Sequence, residues 1–137
     1  MVRAALEHLM DKYGCPSGEV SVLFSSDDEL RRLNRTFRGI DSATDVLSFP
    51  APEGVDGEIG DIAVSVDFAR RHAEQRGVRI DEEAAMLAVH GALHLMGYDD
   101  GTDEERDDMV RRMNEVAEAC GMTTDPDWAS LPHGEDA

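Results

Sequence analysis

The sequence has almost no lysine. Of its 13 basic residues only Lys12 is one, and the rest are arginine. Basic charge is short altogether, because 30 acidic residues leave a net charge of −17. That excludes an evenly basic nucleic-acid-binding surface, although a local arginine cluster could still contact phosphate. An acidic surface with little lysine suits a salt-rich cytoplasm, and a GC-rich genome also favours arginine. Cysteine is scarce too. Cys15 and Cys120 are the only two, too few for a disulfide framework and too far apart for a metal-binding pair. They are expected to be reduced and to act as small buried hydrophobes. No run of 18 apolar residues occurs, so no membrane span is expected. The opening MVRAALEHLMDKYG carries Glu7 and Asp11 inside an amphipathic pattern. It offers neither the apolar stretch nor the cleavage site of a secretory signal, which makes the cytoplasm the expected location.

What is present suits one domain spanning 1–137, with no internal repeat and no linker. Hydrophobic residues make up 41%, enough for a single core. Residues 2–12 read as a helix, broken by Gly14, Pro16 and Gly18. EVSVLFS, 19–25, alternates Val20, Val22 and Phe24 on one face and reads as a strand. Ser26 can cap the helix that follows, 27–38, with acids in its first turn and Gly39 just past its end. Strands are expected at 45–50 and 59–65, around a loop rich in glycine and proline. Helices follow at 66–77, at 80–97 and at 103–119, the last opened by Thr102 and Glu105 as a capping box. Met109, Met113, Val116 and Cys120 give that last helix an apolar stripe. The helix 80–97 is apolar nearly all round and is the expected buried centre. The order predicts an α+β, sandwich-like fold, with a small mixed sheet packed by helices. The tail from Gly121 is polar and irregular, and from about residue 131 it is expected to be frayed.

Chemistry concentrates in HGALHLMGYDD, residues 90–100. His90 and His94 stand four apart and so point the same way on a helix. Two imidazoles in that relation share one ion in helical zinc sites. Gly97 lets the chain turn back, so Asp99 or Asp100 could supply a third ligand. The bland alternative is a pair of satisfied core histidines. Zinc peptidases with this histidine spacing carry glutamate after the first histidine, where this chain has Gly91. That argues against a peptidase.

The helix 27–38 is the second feature. Leu30, Leu33 and Phe37 fall on one side, expected to face the core. Arg31, Arg35 and Arg38 fall within about 60° of one another on a different side. Guanidinium groups hold phosphates in two-pronged contacts, so the stripe is a local positive patch that could contact phosphate. Its alternative is a solvated face paired with neighbouring acids.

These pieces together resemble the YbeY family. HGALHLMGYDD matches the family motif H-G-x-L-H-L-x-G-Y-D-H at every fixed position but the last. LNRTFRGIDSATDVLSFP, 33–50, and GEIGDIAVS, 57–65, are similar to two further family blocks. The resemblance implies a mixed sheet with helices and a single-metal endoribonuclease for single-stranded RNA. It implies work in ribosomal RNA maturation at the 3′ end of the small-subunit RNA, and in ribosome quality control. The small subunit and assembly factors are the implied partners. By position His90 and His94 match the first two metal ligands, and Asp100 stands where the family has a third histidine. Arg38 matches the arginine of the family's active-site cleft. One divalent ion, zinc above all, is the implied cofactor. The sequence opens on the first helix, where the family has a preceding strand, so either a sheet one strand short or a misplaced or trimmed start is expected. Asp99 or His133 remains an alternative third ligand. Two rival functions stand beside this one: a ribosome-assembly protein with a structural metal, and a metal-dependent hydrolase of another substrate.

Overall fold

The structure is a computed structural model, and it describes residues 1–13, 18–52 and 58–129. Cys15, His133 and the tail from about residue 131 lie outside the described residues. The elements follow the order α1 (Val2–Lys12), β1 (Glu19–Ser25), α2 (Asp27–Arg38), β2 (Val46–Pro50), β3 (Glu58–Ser65), α3 (Val66–Arg76), α4 (Ile80–Leu95) and α5 (Asp103–Ala119). This is the expected α+β order.

Among the described residues the sheet has three strands in the order β1-β3-β2. β1 runs parallel to β3, and β2 runs antiparallel to it, so the sheet is mixed as expected. Strand alternation divides the core in two. Val46, Ile62 and Val64 face one side and join a large cluster with Leu9 of α1, Leu87 and Leu93 of α4 and Met113 of α5. Leu47 and Ala63 face the other side and pack with Leu30 of α2.

The helix ends follow the local signals. The Ser26 hydroxyl accepts from the Glu29 backbone N–H at 3.2 Å, and Thr102 accepts from Glu105 at 3.1 Å. Gly39 and Gly77 close α2 and α3 in the left-handed conformation, at φ 72° and 69°. α4 ends at Leu95, two residues short of the expected end. The Met96 and Gly97 N–H groups still bond back to Ala92 and His94, but as a tightening turn.

Three expectations about side chains are corrected. Leu30 is fully buried, but Phe37 is 65% exposed. The apolar stripe of α2 outlasts the cover that a small sheet provides, and Phe37 rests edge-on against Phe49, centroids 5.4 Å apart. The described segment after Gly121 is irregular, as expected, but it is not all surface. Met122 and Trp128 are buried, and Trp128 joins the main core. Cys120 is only half-buried.

Candidate metal centre

α4 carries the centre because it runs through the core. Ten of its residues are buried, from Glu83 through Leu93. It approaches the sheet closely at Gly91. A Cβ there would meet Ile62 Cγ2 at 2.9 Å, Ser48 Oγ at 3.0 Å and Val46 Cγ2 at 3.2 Å. The Ser48 hydroxyl donates to the Gly91 carbonyl at 2.8 Å, tying α4 to β2 beside the two histidines. Gly91 therefore has a packing reason, apart from any comparison with peptidases.

The turn at Gly97, φ 97°, sends the chain back over the end of α4. Asp100 then faces both imidazoles. Its Oδ2 lies 3.4 Å from His90 Nε2 and 3.6 Å from His94 Nε2, and the two Nε2 atoms are 3.1 Å apart. Ligands about 2.05 Å from a tetrahedral zinc ion stand about 3.3 Å from one another. The observed triangle has that size, so the three side chains could hold one divalent ion. Asp99 sits elsewhere. Its Oδ1 is 4.0 Å from His94 Nδ1, on the other nitrogen of the ring, and its side chain is 74% exposed. That is beyond hydrogen-bond reach, whereas Asp100 occupies the third corner.

The electrostatics agree with this division. The two histidines beside Asp100 hold its carboxyl well below the usual carboxylate range. Burial pushes the His90 imidazole down, and the nearby carboxylates of Asp100 and Asp45 only partly oppose it. Burial also works against His94⁺, but there the Asp100 carboxylate outweighs it and the pKa is raised. Asp100 is thus a ready anion and His90 a ready neutral donor.

The cleft in front of the centre has a volume of about 440 Å³. Arg38, Ser48, Pro50, His94, Asp100 and Glu105 are among the residues that line it. Arg38 reaches over β2, with Nη2 3.4 Å from the Ser48 carbonyl oxygen. The other two arginines of the stripe gather on an acid. Arg31 donates to both carboxylate oxygens of Asp41, at 2.8 and 3.2 Å, and Arg35 Nη1 lies 3.8 Å from the same group.

Two supporting residues carried no signal of their role in the sequence. Glu83 is fully buried, although it stands among the acids that open α4. Its carboxylate accepts from Trp128 Nε1–H at 2.8 Å, contacts His72 Nδ1 at 2.7 Å and pairs with Arg76. Trp128 packs in turn on the His90 ring. Only the tertiary fold brings residues 83, 90 and 128 together.

The chain is similar to known proteins. The family profile described as "Endoribonuclease YbeY" matches residues 1–121. A protein named endoribonuclease YbeY in Koribacter versatilis is 56% identical over 87 residues, which covers 64% of this chain and 56% of that protein. Its namesake in Pelotomaculum thermopropionicum is 42% identical over 130 residues, covering 90% of this chain and 86% of that protein. A solution structure of a Thermotoga maritima protein superposes with a TM-score of 0.61 at 33% identity, covering 88% of this chain and 79% of that one.

Proposed function

The chain belongs to the YbeY family of endoribonucleases, and on that premise we propose that it cuts single-stranded RNA at the His90–His94–Asp100 centre. The observation that carries this reading is the triangle of two imidazole nitrogens and one carboxylate oxygen, 3.1 to 3.6 Å on a side, opening on a cleft that contains Arg38. A structural zinc site is normally closed by four protein ligands, whereas a catalytic site keeps a position open. Three donors facing a cleft favour catalysis over a purely structural metal.

His90, His94 and Asp100 would hold one divalent ion. When bound, such an ion supplies a Lewis acid for the phosphate and a source of nucleophile at neutral pH. Zinc suits two nitrogens and one oxygen, and the hard carboxylate widens the choice toward manganese or iron. Arg38 holds the scissile phosphate and stabilises the charge that develops on it. Its fork matches two phosphate oxygens at once. Arg35 and Arg31 extend the RNA track along α2, where their exposed pairing with Asp41 is a weak restraint. The backbone of Tyr98, hydrogen-bonded to the His94 ring, would orient it.

The cellular substrate in this reading is ribosomal RNA, cut during maturation of the 3′ end of the small-subunit RNA and in ribosome quality control. The small subunit and its assembly factors are the partners, and the cytoplasm is the place. No described helix is long and apolar enough to cross a membrane. A substrate panel tests the proposal: metal-loaded protein is given single-stranded RNA, duplex RNA, single-stranded DNA and simple phosphate and carboxylate esters. Cleavage of the single-stranded RNA ahead of the rest is expected. Turnover of another ester, with the RNA intact, would replace this function with that of a different metal-dependent hydrolase.

A further inference from the structure

Phe37 is 65% exposed, an unusual place for a phenylalanine beside a candidate active site. It stands next to Arg38 at the end of α2 and touches Phe49 of β2 at 5.4 Å between ring centroids. The two rings border an apolar groove of about 670 Å³, with Leu23, Leu33 and Pro50. Alternation along β2 relates this groove to the metal cleft. Val46, Ser48 and Pro50 line the cleft, while Leu47 and Phe49 belong to the opposite face. Pro50 borders both cavities, and β2 is an edge strand. The groove and the cleft therefore lie against one edge strand and share Pro50, with Phe37 in the groove and its neighbour Arg38 in the cleft.

We propose that Phe37 and Phe49 form a base-stacking subsite, which takes one unpaired nucleobase next to the phosphate held at the centre. The proposal rests on the nuclease reading above. Electrostatics supply its second argument. The protein carries a net charge of −17, Asp99 and Glu105 line the cleft, and Arg31 and Arg35 share Asp41. Attraction to the RNA backbone is therefore meagre, and most RNA-binding proteins rely on it. A stacked base adds affinity without positive charge, and it does so for any base, because every base has a π-face. It also selects single strands, since a base inside a duplex is already stacked and hidden. The occupant is a base rather than a protein side chain because the groove shares Pro50 with the cleft that would receive the phosphate, and Phe37 is the chain neighbour of Arg38.

The test is steady-state cleavage by the metal-loaded protein of a labelled single-stranded RNA, in which one abasic nucleotide is walked across the cut site. In the wild type, one position beside the cut is expected to raise KM when its base is missing. Phe37→Ala should raise KM for intact RNA by about five- to a hundredfold, the range of one stacked base. It should also erase the effect of that abasic position, and Phe37→Trp should restore both. Phe37 carries no charge, so its loss should leave the salt dependence of KM as in the wild type. A wild-type KM in Phe37→Ala, with the abasic effect intact, would overturn the subsite and leave the nuclease reading standing. An unchanged KM accompanied by lost self-association would assign the patch to a second copy of the chain and overturn it equally. If the wild type cuts no RNA, the nuclease reading fails on its own. Fluorescence anisotropy of the same RNA on the metal-loaded protein then decides the subsite. Weaker binding by Phe37→Ala would uphold it, and absent or unaltered binding would overturn it.

Discussion

Trp128 packs against His90, with ring centroids 5.2 Å apart, so a residue from the last described segment braces the first histidine of the metal centre. Its indole N–H is fixed by the buried Glu83 at 2.8 Å. Trp128→Ala is therefore predicted to cost about 3–5 kcal/mol of stability, the usual range for emptying a buried tryptophan site. It should also weaken metal binding, because the His90 ring loses its brace. Trp128→Phe keeps an aromatic ring there and leaves Glu83 one donor short, at a cost of about 1–3 kcal/mol. Urea unfolding and zinc titration of both variants check this. Wild-type stability and metal affinity in Trp128→Ala would show the contact to be incidental.

The ligand set makes a graded prediction. His90→Ala or His94→Ala removes one of three donors and should leave the purified protein largely without metal. Asp100→Ala should weaken binding strongly, and Asp99→Ala only mildly, since Asp99 lies on the far nitrogen of His94. Asp100→His should favour zinc over manganese, as nitrogen replaces a hard oxygen. Metal analysis and competition titrations give the order. A strong loss in Asp99→Ala with none in Asp100→Ala would move the third ligand back by one residue.

Proton competition sets a pH dependence. His94 must be neutral to bind a metal, and its pKa is raised above the ordinary 6.5. Zinc affinity should be full above that raised pKa and fall as the pH drops through it, so the decline begins above 6.5. His90 is pushed down and Asp100 is held far below, so both are ready over the whole window. Chelator competition between about pH 8 and about pH 5.5 spans the histidine range. An affinity that is flat through that range would contradict the assignment of His94 as a ligand.

Arg38 gives a kinetic prediction. Arg38→Ala should cut RNA cleavage by about 10²–10³-fold, as when another charge-stabilising donor is removed, while fold and metal content stay intact. Arg38→Lys should recover only part of the rate, since an ammonium cannot make the two-pronged contact. Wild-type rates in Arg38→Ala would reduce the arginine stripe to a solvated face.

Much of this was legible in the sequence because it is local. The caps at Ser26 and Thr102, the glycine ends of α2 and α3, and the helical spacing of His90 and His94 are encoded within a few residues. The Gly97 turn left Asp99 and Asp100 both open as the third ligand, and only the resemblance pointed to Asp100. What was not legible depends on contacts distant in sequence. Glu83 reads as a surface acid in a first turn, yet Arg76, His72 and Trp128 make it a buried anchor. Trp128 stands in a polar tail, and only its packing marks it as core. Phe37 has the spacing of a core residue, but the sheet is too narrow to cover it.

The central claim is that one divalent ion at His90, His94 and Asp100 drives RNA cleavage. Adding zinc or manganese stepwise to metal-stripped protein, and following cleavage of a single-stranded RNA, tests it most directly. The account predicts no cleavage without metal, a linear rise to one equivalent, a plateau beyond, and no response in His94→Ala. Cleavage by the stripped protein at the full rate, or a rise equally steep in His94→Ala, would contradict it.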